Sequence, residues 1–260
     1  MTELARSPSD TAAEVTIARG TEFFARYAYA PNHLGYCGPP EVAVLRTGSE
    51  AEVRAVAKRF SGAWPYLRVL ARMTGIADPL DHRIVESYWL GGGVGARLDP
   101  REFGAELLAV IGPQAGHYWA HLTPDLLAEA AGNHAFHVFG VYPWSRLLGR
   151  GMDEHPMHVL DSCRITWATV VSVDGAEAEV RCRRLELRGD ALGLTAPALT
   201  RVQVRADGYA AVPDVTAGDE VAVHWGRICG RLDRSQVRDL ETSTLRQLHL
   251  TSRRLRGGRG

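Results

Sequence analysis

The sequence predicts an α+β protein in which an all-α N-terminal domain precedes a small β-barrel and a C-terminal helix. Up to about residue 155, apolar side chains recur every three to four residues, which is the spacing of amphipathic helices. Beyond residue 156, apolar and polar residues alternate in short runs separated by glycine, proline or aspartate, a pattern typical of strands. With 260 residues, 45% of them apolar, the chain is long enough to bury two cores.

The helices of the first half carry start and stop signals. Residues 53–60 place four apolar side chains on one helical face, and Ser49 ahead of them is a candidate N-cap. Because proline is favoured at the first helical position, Pro100 and Pro124 predict two further helix starts. Pro31 is expected to help end an earlier helix, since proline cannot donate a backbone hydrogen bond.

The second half begins with the signature of a β-hairpin. Two alternating runs, 169–173 and 178–182, flank Asp174 and Gly175, a pair that readily adopts the positive φ angles of a tight turn. Further runs of this kind lie near residues 202–204, 208–209 and 220–224. About five short strands in succession favour a small barrel.

A single amphipathic helix is predicted to end the chain. From Asp233, a candidate N-cap, the helical spacing of apolar residues returns. An apolar stripe on such a helix can dock a partner protein in a groove. The predicted docking residues are Val237, Leu240, Leu245 and Leu248.

Composition and segment boundaries narrow the class of protein. We expect a disordered N-terminus over 1–11, an all-α domain over 12–155, a barrel with its C-terminal helix over 156–252, and a basic disordered tail over 253–260.

Lys plus Arg balance Asp plus Glu at 30 each, which argues against binding to nucleic acid. Four scattered cysteines and the absence of a leader sequence indicate a reducing, cytoplasmic location. No apolar run approaches the roughly 20 residues that span a membrane.

Cys163 and His224 are a candidate pair of metal ligands. Cys163 precedes the first predicted strand, and His224 ends a later one. A thiolate and a neutral imidazole can together bind a borderline-soft transition metal, and two protein ligands leave most of its coordination sphere open. An open coordination sphere suits a carrier better than a structural site.

The surroundings of these two residues resemble the HypC/HupF family of [NiFe]-hydrogenase maturation chaperones. In that family a cysteine is followed at the seventh and eighth positions by paired apolar residues, here Val170 and Val171 after Cys163. The family's Pro-Gly-Asp-(aliphatic)-Val-(aliphatic)-Val-His-x-Gly segment is matched by Ala-Gly-Asp-Glu-Val-Ala-Val-His-Trp-Gly at residues 217–226, which contain His224. The resemblance covers residues 163 to about 250 and implies an OB-like β-barrel with a C-terminal helix.

The resemblance also implies a function, cofactor and partners. Cys163 and His224 would hold iron transiently, as the precursor of an Fe(CN)₂CO unit. The partners would be a HypD-like maturation protein and the hydrogenase large-subunit precursor. The resemblance therefore predicts an accessory protein of hydrogenase maturation, which binds iron and partner proteins but does not catalyse a reaction. No catalytic residues are predicted.

A rival metal site is possible in the helical domain, formed by His33, Cys37, His134 and His137. Their spacings of four and three residues, like that of His117 and His121, can place two ligands on one helical face. Such a site would indicate a metal-dependent enzyme or a metal sensor, whereas plain aromatic and histidine packing would indicate neither. A third alternative is a scaffold that keeps the barrel but has lost the iron site. The segments 29–40 and 133–144 also resemble an uncharacterised bacterial family that joins a helical domain to a HypC-like tail.

Overall fold

Helices make up the first half of the chain. The structure, a computed structural model, describes residues 8–114 and 122–257, with side chains described for 19–113 and 122–257. The α-helices are α1 (Pro8–His33), α2 (Val42–Thr47), α3 (Glu50–Ala57), α4 (Ala63–Thr74), α5 (His82–Leu90), α6 (Pro100–Ile111), α7 (His134–Phe136), α8 (Glu154–Cys163) and α9 (Arg234–Gly257). Short 3₁₀ helices cover Gly95–Arg97, Gly112–Gln114, Pro124–Ala128 and Pro143–Leu147, and α7 continues as a π-helix over His137–Val141.

Several predicted helix boundaries are confirmed. Ser49 caps α3 through a capping box with Glu52, in which each side chain binds the other residue's backbone amide. Pro100 is the first residue of α6, whose N-cap is Asp99. The start predicted at Pro124 exists, but it begins a five-residue 3₁₀ helix rather than an α-helix.

Seven strands follow α8. They are β1 (Thr166–Asp174), β2 (Glu177–Cys182), β3 (Leu185–Arg188), β4 (Ala191–Leu194), β5 (Ala198–Gln203), β6 (Glu220–His224) and β7 (Arg227–Arg231). Five of them form the barrel in the order β1-β2-β5-β7-β6, and β6 pairs back onto β1. Strands β3 and β4 form a separate hairpin that the sequence pattern did not reveal. The α+β prediction, with a small barrel and a C-terminal helix, is confirmed.

The first hairpin has the predicted strands with a turn displaced by one residue. Asp174 pairs with Glu177, so the turn residues are Gly175 and Ala176 rather than Asp174 and Gly175. Gly175 has a φ of 60°, which explains why glycine occupies this position. The barrel interior is filled by small branched side chains, among them Val170, Val180, Val202, Val221 and Ile228.

One apolar core joins the helices to the barrel. Buried side chains of α1, α4 and α5 belong to the same cluster as Ile165, Ala222 and Cys229 from the second half. At Gly230 an added Cβ would lie 2.8 Å from the Tyr27 hydroxyl oxygen, so a larger residue in β7 would clash with α1. The predicted domain boundary at 155–156 falls near the start of α8 and stays a prediction.

Helix α9 packs its apolar stripe against this chain. Leu240 and Leu248 are 3% and 2% exposed, and Val237 packs partly buried against the main core. Leu245 is the exposed member of the predicted docking set. The chain's own core already covers three of the four side chains. This burial corrects the prediction that all four dock a partner protein.

The ends of the chain differ in part from the expected disorder. Helix α1 begins at Pro8, so the part of the predicted N-terminal segment before it lies outside the described residues. Helix α9 extends to Gly257, and its residue Arg254 forms an ion pair with the buried Glu129. Residues 258–260 of the predicted tail lie outside the described residues. Within the described ranges, no helix is both long enough and apolar enough to cross a membrane.

Candidate metal centre

Cys163 and His224 meet where a helix and a strand end. Cys163 is the last residue of α8, and His224 is the last residue of β6. The Trp225 amide donates a hydrogen bond to the Ser162 carbonyl at 2.9 Å, which ties the two ends together. Trp225 has a φ of 51°, rare for a residue other than glycine, so the chain turns immediately after His224.

A third potential ligand, His134, comes from the helical half of the chain. Ligand atoms of His134, Cys163 and His224 all lie within 4.8 Å of one another, and the three residues are buried. Asn133 positions His134 by capping α7, where its side chain accepts a hydrogen bond from the Phe136 amide at 3.1 Å. The predicted barrel pair thus meets one member of the rival set.

The hydrogen bonds of His224 leave one ring nitrogen available. Nδ1 lies 2.8 Å from the Tyr27 carbonyl oxygen, and it must carry the hydrogen because a carbonyl can only accept. Nε2 therefore holds a lone pair, and no group in the described structure donates a hydrogen bond to this buried atom. An imidazole whose far nitrogen donates to a carbonyl is the usual arrangement of a metal-ligating histidine.

The His134 ring is also oriented by a hydrogen bond from one of its nitrogens to a backbone carbonyl. Its Nε2 donates to the Cys163 carbonyl oxygen at 2.9 Å, which leaves the lone pair on Nδ1. The Tyr88 hydroxyl donates to Nδ1 at 3.2 Å. To bind a metal, His134 would give up one of these hydrogen bonds, either the one from Tyr88 at Nδ1 or the one to the Cys163 carbonyl at Nε2.

A cavity of about 230 Å³ adjoins the three residues, and other predicted ligands line it. Cys37 and His137 both belong to its wall, and the ring centroids of His134 and His137 are 5.7 Å apart. His33 lies elsewhere, because its Nε2 contacts the Asp207 carboxylate at 3.2 Å. The two predicted sites therefore share one cavity without His33. The candidates His117 and His121 lie outside the described residues.

Burial sets the protonation of these groups. It lowers the pKa of His224 and His137 to about 4, and that of His134 well below its usual value. It raises the pKa of the Cys163 thiol well above its usual range. At neutral pH the imidazoles are uncharged and offer lone pairs, whereas the thiol must lose its proton to bind a metal. Metal affinity should therefore rise with pH.

The metal-free protein is expected to lose stability in mild acid. The unfolded chain takes up protons on histidine near pH 6.5, whereas the folded chain resists until about pH 4. As the pH is lowered from about 6.5 to about 4, the free energy of unfolding should therefore fall by up to about 1.4 kcal/mol per pH unit for each buried histidine.

Urea unfolding between about pH 7 and about pH 5 measures this slope. Replacing His137 by glutamine should reduce it, because one buried titrating group is removed. A free energy of unfolding that is constant over this range would contradict the prediction.

Other residues of the site gave no signal in the sequence. The Tyr27 carbonyl is a backbone group, so no side chain marks it. Tyr88 belongs to the apolar face of α5 and carries only a pattern of burial. His134 was a candidate ligand only because it lies three residues from His137. That spacing predicted His137, rather than Cys163, as its partner in a metal site.

A family model described as "Family of unknown function (DUF6390)" matches residues 16–258. No curated protein and no solved structure matches the chain. The family description names no activity.

Proposed function

The chain belongs to the DUF6390 family, and from its site we propose that it binds one transition-metal ion through His134, Cys163 and His224. The observation that carries this proposal is the convergence of their three ligand atoms within 4.8 Å. The unpartnered Nε2 of His224 supports it, because a buried nitrogen left without a partner costs about 1–3 kcal/mol. A bound metal would remove that cost.

The donor set suits Fe²⁺, Co²⁺ or Zn²⁺. Imidazole and thiolate ligands favour such borderline-soft ions over Mg²⁺ or Ca²⁺, which prefer oxygen. Three protein ligands leave a position open, as in sites that exchange a ligand. We propose iron as the physiological ion on the resemblance to the HypC/HupF family. Since Zn²⁺ binds such ligands more tightly than Fe²⁺, iron loading would depend on metal supply.

The proposed role is that of an accessory protein in [NiFe]-hydrogenase maturation. Two features support it: Cys163 and His224, the residues that the resemblance implies, lie together, and a cavity gives the open position space. The proposal includes a HypD-like partner and the hydrogenase large-subunit precursor. We also propose a cytoplasmic location, because thiols stay reduced in the cytoplasm and all four cysteines of this chain are free.

An anaerobic binding experiment tests this proposal. The full chain should bind one equivalent of Fe²⁺ and should form a complex with a HypD-like protein. Cys163→Ser should lose both properties and should fail to support hydrogenase maturation. Cys182→Ser is the matched control, because Cys182 is also a buried free thiol but does not line the cavity. Unimpaired maturation with Cys163→Ser would remove the role in hydrogenase assembly.

A metal-dependent enzyme or metal sensor is the second candidate. It is favoured by Cys37 and His137, two further potential ligands or proton carriers in the wall of the same cavity. Tight metal binding without any effect on hydrogenase maturation would support this candidate. The third alternative, a scaffold that has lost the iron site, requires that no metal binds at all.

A further inference from the structure

A second cavity of about 390 Å³ adjoins the cavity beside the metal centre. The two cavities share a wall that includes Cys37, Gly62, His137 and Tyr142. A Cβ added at Gly62 would lie 2.9 Å from the His137 Cε1 and Nε2 atoms. Glycine at this position therefore lets the His137 ring lie between the cavities.

Two buried polar atoms of the described residues that line the second cavity lack partners. They are the Tyr66 hydroxyl oxygen and His137 Nδ1, neither of which forms a hydrogen bond within the described structure. Their residues are 1% and 4% exposed, and their rings pack edge-on with centroids 5.4 Å apart. His137 also opens a π-helical turn, a rare element that is frequent at functional sites. A bound molecule could satisfy both atoms.

Charge indicates which kind of molecule this would be. A divalent metal with one thiolate and two neutral imidazoles retains one positive charge. None of the described residues lining the two cavities is Asp, Glu, Lys or Arg, so no side chain there neutralises it. An unbalanced charge is costly in a buried, weakly polar environment, and one negative charge would remove this cost.

We propose that the site takes a small external monoanion as the remaining metal ligand, which accepts hydrogen bonds from Tyr66 and His137. This inference rests on the proposed metal site. Both side chains stay uncharged at neutral pH, because burial raises the pKa of Tyr66 well above its usual value and lowers that of His137 to about 4. A neutral phenol always has a hydrogen to donate, and a neutral imidazole has one on either nitrogen.

Cys37 could provide the negative charge from within the chain. It lines both cavities, but it is not one of the three residues whose ligand atoms lie within 4.8 Å of one another. Burial raises the pKa of its thiol to about 12, so the neutral form is favoured unless a metal binds it. The experiment must therefore separate an external anion from the Cys37 thiolate.

Cobalt substitution provides the test. The full chain is loaded with Co²⁺, azide is added, and the visible d–d absorption of the cobalt is recorded. We expect the spectrum to change with saturation at one azide per cobalt. Tyr66→Phe should weaken azide binding about tenfold, as expected for loss of one hydrogen bond to a charged group. Tyr209→Phe, outside both cavities, should leave azide binding unchanged.

Three results would overturn the inference in different ways. If cobalt binds with a thiolate charge-transfer band but azide leaves the d–d spectrum unchanged, the external anion is refuted and the metal site stands. If azide binds only to Cys37→Ala, the Cys37 thiolate is the remaining ligand. If no cobalt binds, the metal site and the anion proposal fail together.

Discussion

Replacing Cys163 by serine is expected to lower the affinity for Zn²⁺ by about 100-fold or more. Four-ligand zinc sites bind with about 10–16 kcal/mol, so one ligand contributes roughly 3 kcal/mol. Cys163 is the one thiol among the three clustered ligands, and its thiolate supplies their only negative charge. A serine hydroxyl stays protonated and is a weaker ligand for zinc.

Competition with a chromophoric chelator at neutral pH measures this loss. Cys182→Ser provides the control, since its 7% exposure equals that of Cys163 and both thiols are free. The control variant should bind Zn²⁺ as the unmodified chain does. Equal affinity of the Cys163→Ser and Cys182→Ser variants would show that Cys163 is a packing residue.

Asp161→Ala is expected to lower the free energy of unfolding by about 3–5 kcal/mol. The Asp161 carboxylate accepts hydrogen bonds from Arg164 Nε at 2.9 Å and from the Leu185 amide at 2.8 Å, and it also pairs with Arg184. The side chains of Asp161 and Arg164 are 7% and 2% exposed. Alanine would leave the Arg164 guanidinium buried without its counter-charge.

Urea unfolding of the metal-free chain tests this prediction. Glu106→Ala is the control, because it removes an ion pair to Arg72 in which both side chains are exposed. The control variant should lose less than about 1 kcal/mol. A similar small loss for Asp161→Ala would show that this ion pair does not stabilise the end of α8, where Cys163 lies.

Elements with a local signal were predictable from the sequence. The Ser49 capping box, the β1–β2 hairpin and the cap of α9 each depend on residues a few positions apart. The hairpin of β3 and β4 escaped prediction because its four-residue strands are too short for an alternation to be evident. The periodicity of α9 revealed an apolar face, but it could not show that the same chain covers it.

The site was predictable in part for the same reason. Cys163 and His224 were found through the segments around them, yet their meeting with His134 depends on how α7 and α5 pack against the end of β6. That packing places the rings of Trp89 and His134 4.7 Å apart, and those of His134 and His224 5.4 Å apart. Two sets of residues that looked like rivals in the sequence therefore lie around one cavity.

X-ray absorption spectroscopy of the Zn²⁺-loaded full chain tests the metal site most directly. The proposed site predicts one sulfur ligand at about 2.3 Å and two imidazole nitrogens at about 2.0 Å. A first shell with one sulfur means one thiolate ligand. Loss of that sulfur in Cys163→Ser would identify the ligand as Cys163. A first shell without sulfur, or one that retains its sulfur in Cys163→Ser, would contradict a centre built from His134, Cys163 and His224.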